Sequence, residues 1–350
     1  MPSNITYERW ASDQDKEIYL FRLINSSGAF VEITNYGATI VSVVTPDQFG
    51  EFGHVVLGFD NLHAYLNNTC YIGSTIGRFA NRIGKATFML NNQQYFLEAN
   101  EFENCNHSGR FGYHARIFNF DIVENTLKLT LMSHNGDGGF PGNLELKISY
   151  QWTENNQLII GYDAVCDEDT IANFTNHAYF NLSGERDNIL GHRLTLNADS
   201  MLETNNELIP TGKILKVGRR SLTAKKIAEK FGLAGIPGFN QYYILKKELN
   251  KQPGGLNHAA ILDYEASGRR LNIYTSYPGL MVYSGDYLFS SYPGKKLKNY
   301  QPFDGLCLEC QLYPDAPNHM SFPSAILRAD ERYDQKIIYE FTIMPIKDND

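Results

Sequence analysis

One apolar segment, residues 306–312 with the sequence LCLECQL, contains a single carboxylate, Glu309. Side chains alternate along a β-strand, so Cys307, Glu309 and Gln311 would share one face, with Cys310 and the three leucines on the other. A partly buried carboxylate can act as a general base with a shifted pKa. A structural ion pair or a glutamate on a solvated strand face fits the same pattern. The two cysteines would point in opposite directions, which disfavours a redox pair.

A second polar pattern lies in residues 173–182, with the sequence NFTNHAYFNL. As one strand, the segment would place five polar side chains on one face: Asn173, Thr175, His177, Tyr179 and Asn181. His177 can give or take a proton near neutral pH. Such a row of donors and acceptors suits a ligand with many hydroxyl groups, and it also suits a solvated outer face.

Two shorter segments contain further candidates. Residues 77–84, GRFANRIG, carry Arg78 and Arg82 between glycines, and residues 104–109 carry His107 among small side chains. A guanidinium group can hold two adjacent hydroxyls or a carboxylate, although arginines more often form surface ion pairs. A lone histidine in such a loop is usually structural.

The sequence gives little support for a metal or an organic cofactor. Its nine histidines lack H-x-H and H-E-x-x-H spacing, and its cysteines are not arranged for zinc. The glycine-rich residues 136–142 lack the Lys-Ser/Thr and helix start of a phosphate-binding loop, so they predict a hairpin turn. No nucleophile elbow or dinucleotide fingerprint is present. We therefore expect acid–base chemistry with no metal and no cofactor.

Short segments with period-two alternation dominate the chain and predict an all-β fold. The clearest are residues 29–44 (strand, turn, strand), 128–132, 144–152, 158–163, 271–274 and 336–343. Only residues 221–231 predict a helix. No repeat or linker divides the sequence. We expect a single large antiparallel β-sandwich, forming one domain over residues 1–350, with loops at its rims.

Composition restricts the partners. The net charge of −8 disfavours nucleic acid, which requires clustered Lys and Arg. Residues 1–4 lack the basic and apolar pattern of a signal peptide, and no apolar run is long enough to span a membrane. The five cysteines show no disulfide-framework spacing. A cytoplasmic protein, monomeric or homodimeric, is the simplest expectation.

Taken together, these segments resemble the aldose 1-epimerase (galactose mutarotase) family, in order and through nearly the whole chain. The resemblance rests on residues 35–42 (NYGATIVS), 57–60 (LGFD), 77–84, 106–109 (NHSG), 138–142 (GGFPG), 175–182, 209–212 (IPTG), 278–285 (PGLMVYSG) and 308–318 (LECQLYPDAPN). Each segment alone is modest evidence, whereas the ordered set is specific.

The resemblance implies a galactose mutarotase-like supersandwich with an open sugar-binding cleft. It also implies that Glu309 is the base that takes the proton of the sugar C1 hydroxyl and that His177 is the acid that protonates the ring oxygen. His107 matches the family's second active-site histidine. Arg82 and Asn81 match residues that hold sugar hydroxyls.

Two positions depart from the family pattern. Asn240 stands where the family usually has an Asp that binds a sugar hydroxyl, and Met281 stands where it tends to have Gln. Neither change affects the implied base or acid. Both alter the groups around the sugar, so we expect a substrate other than plain galactose, such as glucose or a reducing disaccharide.

Two other functions fit parts of the sequence. A sugar-binding protein without turnover would explain the two departures, but it would not require Glu309, His177 and His107 together. A glycoside hydrolase or lyase usually needs two carboxylates around the bond, and the matched segments contain no second acidic residue in that role. The sequence therefore favours the epimerase.

Overall fold

The computed structural model describes residues 4–13, 16–235, 237–246, 255–296 and 298–345. Residues 1–3, which belong to the segment without a signal-peptide pattern, lie outside the described residues. None of the helices described is long and apolar enough to cross a membrane.

The regular secondary structure of the described residues consists almost entirely of strands. Strands β1 to β14 are Asn4–Asp13, Lys16–Ile24, Phe30–Thr34, Thr39–Pro46, Phe52–His54, Thr75–Ile76, Arg82–Ile83, Thr87–Leu90, Gln93–Phe96, Cys105–Asn106, Asn119–Val123, Thr126–Ser133, Leu144–Trp152 and Gln157–Cys166. Strands β15 to β28 are Thr170–Ile171, Thr175–Asn176, Tyr179–Phe180, Arg193–Leu196, Ala198–Thr204, Pro210–Lys216, Lys225–Lys226, Asn240–Leu245, Asn257–Tyr264, Arg269–Thr275, Gly279–Tyr283, Leu306–Gln311, Ile326–Leu327 and Tyr333–Ile343. Two α-helices, α1 at Leu62–Leu66 and α2 at Ile227–Ala234, accompany them.

Three larger antiparallel sheets form the β-sandwich. One has five strands in the order β1-β2-β3-β4-β5, and a second has nine in the order β11-β12-β13-β14-β28-β24-β23-β18-β21. The third has six, in the order β17-β26-β25-β22-β19-β20. Phe21, Ile148 and Leu308, one from each sheet, belong to one apolar cluster. The predicted all-β sandwich is confirmed.

Alternation explains why these segments are strands. In β13, the side chains of every second residue are buried and those between them are partly or fully exposed, as expected for a strand with one face on the core. Strands β12 and β13 pair antiparallel from Ser133 and Leu144 onward. The glycine-rich residues 136–142 therefore form the hairpin turn that the sequence predicted.

The predicted helix over residues 221–231 is correct only in its second half, because α2 begins at Ile227. Lys225 and Lys226 instead pair with strand β18. Ala224 has a positive φ of 56°, which is incompatible with a right-handed helix, and its N–H donates to the carbonyl of Leu194. Pairing with the sheet thus overrides the local helical pattern.

Candidate active site

Strand β26 carries Glu309 through the interior of the six-stranded sheet, between β25 and β17. Leu306, Leu308 and Cys310 join the main apolar core, as alternation predicted. Glu309, on the opposite face, is only 2% exposed. The alternative of a glutamate on a solvated strand face is therefore wrong.

The pairing of β17 with β26 brings His177 to Glu309. Tyr179 lies opposite Cys307 in this antiparallel pair, so the residue two positions before Tyr179 lies beside the residue two positions after Cys307. Nε2 of His177 is 3.8 Å from Oε1 of Glu309. This separation is too long for a direct hydrogen bond. Both residues instead line the same cleft.

Residues 173–182 do not form the one continuous strand that alternation predicted. They divide into β16 and β17, which pair with different strands, β6 and β26. The predicted row of five polar groups along one face of a single strand is wrong as a consequence. The amide of Asn173 donates to the carbonyl of Ala80, and that of Asn181 donates to the carbonyl of Asp187. Of the five, His177 and Tyr179 line the cleft described below.

His107 reaches the same place from another part of the chain. Strand β10, which ends one residue before His107, pairs with β7, where Asn106 lies opposite Arg82. The backbone N–H of Asn81 donates to Nδ1 of His107 at 3.2 Å. A neutral imidazole that accepts at Nδ1 carries its proton on Nε2, so this bond fixes His107 as a donor. Its ring centroid lies 5.4 Å from that of His177.

The two arginines of residues 77–84 have different surroundings. Arg82 is buried beside the cleft and makes a two-pronged ion pair with Glu101, in which Nη2 lies 2.9 Å from Oε1. Arg78 points away from the cleft and donates to the carbonyls of Pro141 and Gly142. Only Arg82 can meet a ligand, while Arg78 holds the hairpin turn.

Met281 lies on β25, the strand next to that of Glu309, and Asn240 lies on β22, one strand further from Glu309. Met281 is directly opposite Glu309 in the β25–β26 pair, and Asn240 is opposite Tyr283. Both line the cleft. Gln241 cannot substitute for Asn240, because its amide is bound to the carbonyl of Leu202 and to Arg220.

These side chains surround one open cleft with a volume of about 590 Å³. Its lining comprises Thr69, Cys70, Tyr71, Asn81, Arg82, Glu101, Phe102, Asn106, His107, His177, Tyr179, Asn206, Glu207, Leu208, Asn240, Met281, Tyr283, Tyr287 and Glu309. All six predicted site residues are among them. The sequence reasoning missed Tyr71, Glu101, Phe102 and Tyr287, which carry no motif of their own.

Burial governs the protonation of the central groups. It raises the pKa of Glu309 to about 8, against a smaller lowering by the charge of Arg82. Burial also lowers the pKa of His177 to about 4 and that of His107 well below its usual range. At neutral pH the Glu309–His177 pair therefore holds one proton. Moving that proton from the carboxyl to the imidazole yields a carboxylate beside an imidazolium.

Cys307 supports His177 from the side away from Glu309. Its Sγ is 3.5 Å from Nδ1 of His177. Burial raises the pKa of the Cys307 thiol well above its usual range, so the sulfur remains a neutral thiol. This contact leaves Nε2 of His177 as the nitrogen that faces the cleft.

A metal ion could be held by His107, His177 and Glu309, whose donor atoms lie within 4.8 Å of one another. Two imidazoles and a carboxylate are a known zinc ligand set. The bond from Asn81 to Nδ1 of His107 opposes this use, because the Nε2 of that neutral ring bears a proton. The three groups fit proton exchange with a hydroxylated ligand better than metal coordination.

The floor of the cleft thus combines a carboxyl group and two imidazoles around a space open to solvent. Oε2 of Glu309 is buried and has no hydrogen-bond partner among the described residues. A buried acceptor of this kind is costly unless a ligand satisfies it. The arrangement can take a proton at one atom of a ligand and give one at a neighbouring atom.

Comparison with known proteins identifies related chains over nearly the full length. A family model described as aldose 1-epimerase matches residues 19–340. Galactose mutarotase of Bos taurus is 34% identical over 317 residues, covering 89% of this chain and 91% of the relative. Aldose 1-epimerase of Escherichia coli K12 is 30% identical over 343 residues, covering 92% and 94%. The solved structure of a GalM/aldose epimerase homologue from C. elegans has a TM-score of 0.87 and 28% identity, covering 93% of this chain and 99% of that one.

Proposed function

The chain belongs to the aldose 1-epimerase family, and from this membership we propose that Glu309 and His177 interconvert the anomers of a free aldose. The protein is an aldose 1-epimerase, an isomerase that acts on a free sugar. The observation that carries the proposal is the 3.8 Å separation of Nε2 of His177 and Oε1 of Glu309 on the cleft floor, which lets both groups act on one sugar.

Ring opening needs one proton taken and one given. The Glu309 carboxylate takes the proton of the C1 hydroxyl, the C1=O double bond forms, and the bond from C1 to the ring oxygen breaks. The protonated His177 gives its proton to the departing ring oxygen. The bond between C1 and C2 then rotates in the open aldehyde.

Ring closure reverses the two transfers on the other face of C1. The C5 hydroxyl adds to the carbonyl carbon, His177 takes its proton, and Glu309 returns a proton to the former carbonyl oxygen. The pair ends with the single proton with which it began. Positioned proton transfer of this kind contributes about 10²–10⁴-fold in rate.

The remaining site residues act on binding and polarisation in this proposal. His107, with its proton on Nε2, donates to the sugar near the ring oxygen, a role supported by the Asn81 bond at its Nδ1. Arg82 and Asn81 hold hydroxyls, and the Glu101 pair keeps the Arg82 guanidinium in one orientation. Asn240 supplies an uncharged hydrogen-bonding group at the wall of the cleft.

Polarimetry of the wild-type protein tests the function. Freshly dissolved α-D-glucose and α-D-galactose should approach anomeric equilibrium faster in proportion to enzyme concentration, while heat-unfolded protein should leave the uncatalysed rate unchanged. If calorimetry detects sugar binding but polarimetry detects no acceleration with any aldose, the protein binds sugars without turnover and the proposed mechanism is wrong.

Substrate preference follows from Asn240 and Met281, which replace an acceptor carboxylate and an amide of the family pattern. We expect wild-type kcat/KM to be lower for galactose than for glucose or maltose. The double variant Asn240→Asp, Met281→Gln should move the ratio of galactose to glucose kcat/KM upward by roughly tenfold, the value of a hydrogen bond to a charged group. A clear galactose preference in the wild type would contradict this expectation.

Organisation and location complete the proposal. A single domain over residues 1–350 is supported by β28, which pairs with β14 and β24 inside the nine-stranded sheet, and one unfolding transition in calorimetry would test it. We propose a monomer or homodimer, to be checked by sedimentation. A cytoplasmic location is supported by the free thiols of all five cysteines, and cell fractionation would test it.

A further inference from the structure

The cleft has room for a molecule larger than one hexose. Its volume of about 590 Å³ lies within the range of roughly 300–1,000 Å³ for pockets that enclose drug-sized ligands. A disaccharide is a ligand of that size. When one hexose occupies the floor, an outer part of the cleft therefore remains for the rest of a larger ligand.

The lining changes in character from the floor to the mouth. On the floor, Glu309 and His177 are 2% and 5% exposed. At the mouth, two aromatic side chains, Phe102 and Tyr287, are 84% and 79% exposed. A single exposed aromatic residue needs no explanation, but both of these residues line the same cleft as the reactive pair.

Phe102 is held in its exposed position by an anchored turn. Glu101 and Asn104 exchange two backbone hydrogen bonds, of 3.1 and 2.9 Å, around Phe102. The Glu101 carboxylate is bound to Arg82, and the amide of Asn104 donates to Glu207 at 2.8 Å. Phe102 itself has a φ of +55°, which a bulky residue rarely adopts. Neither burial nor backbone preference explains a phenylalanine at this position, whereas a ligand contact does.

Tyr287 is fixed in a similar way. Its backbone N–H donates to the hydroxyl of Tyr283 at 3.0 Å, and Tyr283 lies on β25 next to the strand that carries Glu309. The following residue, Leu288, is fully buried and donates to the carbonyl of Gly285. The hydrogen bond to Tyr283 and the buried Leu288 thus hold the backbone on both sides of the Tyr287 ring.

We propose that the mouth of the cleft is a second sugar subsite, in which Phe102 and Tyr287 contact the non-reducing ring of a disaccharide. The inference rests on the proposed function, because anomerisation places C1 of the reducing sugar at Glu309. The remainder of the molecule must then extend toward the open end, where the two rings stand. Aromatic rings present broad apolar surface with an electron-rich face, which suits the C–H face of a sugar ring, and Glu207 beside the Phe102 turn offers an acceptor for its hydroxyls.

The test compares maltose with glucose by polarimetry in the full-length enzyme. The variants are Phe102→Ala, Tyr287→Ala and the double variant, with Phe49→Ala as the matched control, since Phe49 is 75% exposed and lies outside the cleft. Each cleft variant should lower the ratio of maltose to glucose kcat/KM by roughly threefold to tenfold, the worth of one aromatic contact. The control should leave the ratio at the wild-type value.

Three other results would overturn parts of the assignment and can be told apart. Turnover of glucose without turnover of maltose removes the second subsite and leaves the proposed function standing. An equal loss on both sugars in the cleft variants means that the aromatic rings serve the first sugar, and the subsite is again wrong. Failure of the wild type on every sugar, with the protein folded by circular dichroism, removes the proposed function itself.

Discussion

Replacement of Glu309 by Gln should lower kcat/KM for glucose by about 10²–10⁴-fold, the contribution of one positioned proton-transfer group. The amide matches the carboxyl in size and keeps hydrogen-bonding capacity, but it cannot accept the C1 proton. Because burial raises the pKa of Glu309 to about 8, the carboxyl is neutral at pH 7 and the replacement changes no charge there. We expect the free energy of unfolding to change little, so that the loss falls on catalysis.

Polarimetry at several glucose concentrations separates the two kinetic constants, and calorimetry gives the affinity. A loss confined to kcat is expected, because Glu309 accepts the proton in the transition state and adds little to substrate binding in the ground state. Glu124→Gln, at an exposed turn outside the lining of the cleft, is the matched control. A Glu309→Gln protein as fast as the wild type would remove Glu309 from the mechanism.

The sequence predicted the strands best where one face is buried and the other is not. Strand β13 has that pattern and was predicted to the residue, and the core face of β26 was also correct. Period-two alternation determines which side chains share a face, so it indicated that Glu309 points away from the core. It could not indicate which other strand supplies the partner of Glu309.

That partner depends on pairing between distant segments. His177 approaches Glu309 only because β17 pairs with β26, and alternation wrongly extended that strand back to Asn173. The ion pair of Arg82 with Glu101 and the turn that presents Phe102 also depend on tertiary contacts. The resemblance to a family supplied His107, Arg82, Asn81 and Asn240, which local pattern alone left open.

Replacement of His177 by Asn should also lower kcat/KM for glucose at neutral pH by about 10²–10⁴-fold, because the ring oxygen loses its proton donor. The pH profile should change as well. In the wild type, the pair works with one shared proton. Activity should therefore fall below the His177 pKa of about 4, where a second proton binds, and above the Glu309 pKa of about 8, where the last proton is lost.

In the variant only Glu309 of the pair remains to titrate, so the direction of the residual profile identifies its role. If Glu309 is the base, residual activity requires the carboxylate, rises with pH toward about 8 and does not fall at higher pH. If the roles are reversed and Glu309 is the acid, residual activity requires the protonated carboxyl and falls over the same interval. The uncatalysed rate is subtracted at each pH, and His134→Asn, at an exposed position, is the control. A residual activity that falls with rising pH would contradict the proposed assignment. If the variant still loses activity at both low and high pH, His177 is not the proton donor, because a group that has been removed cannot titrate.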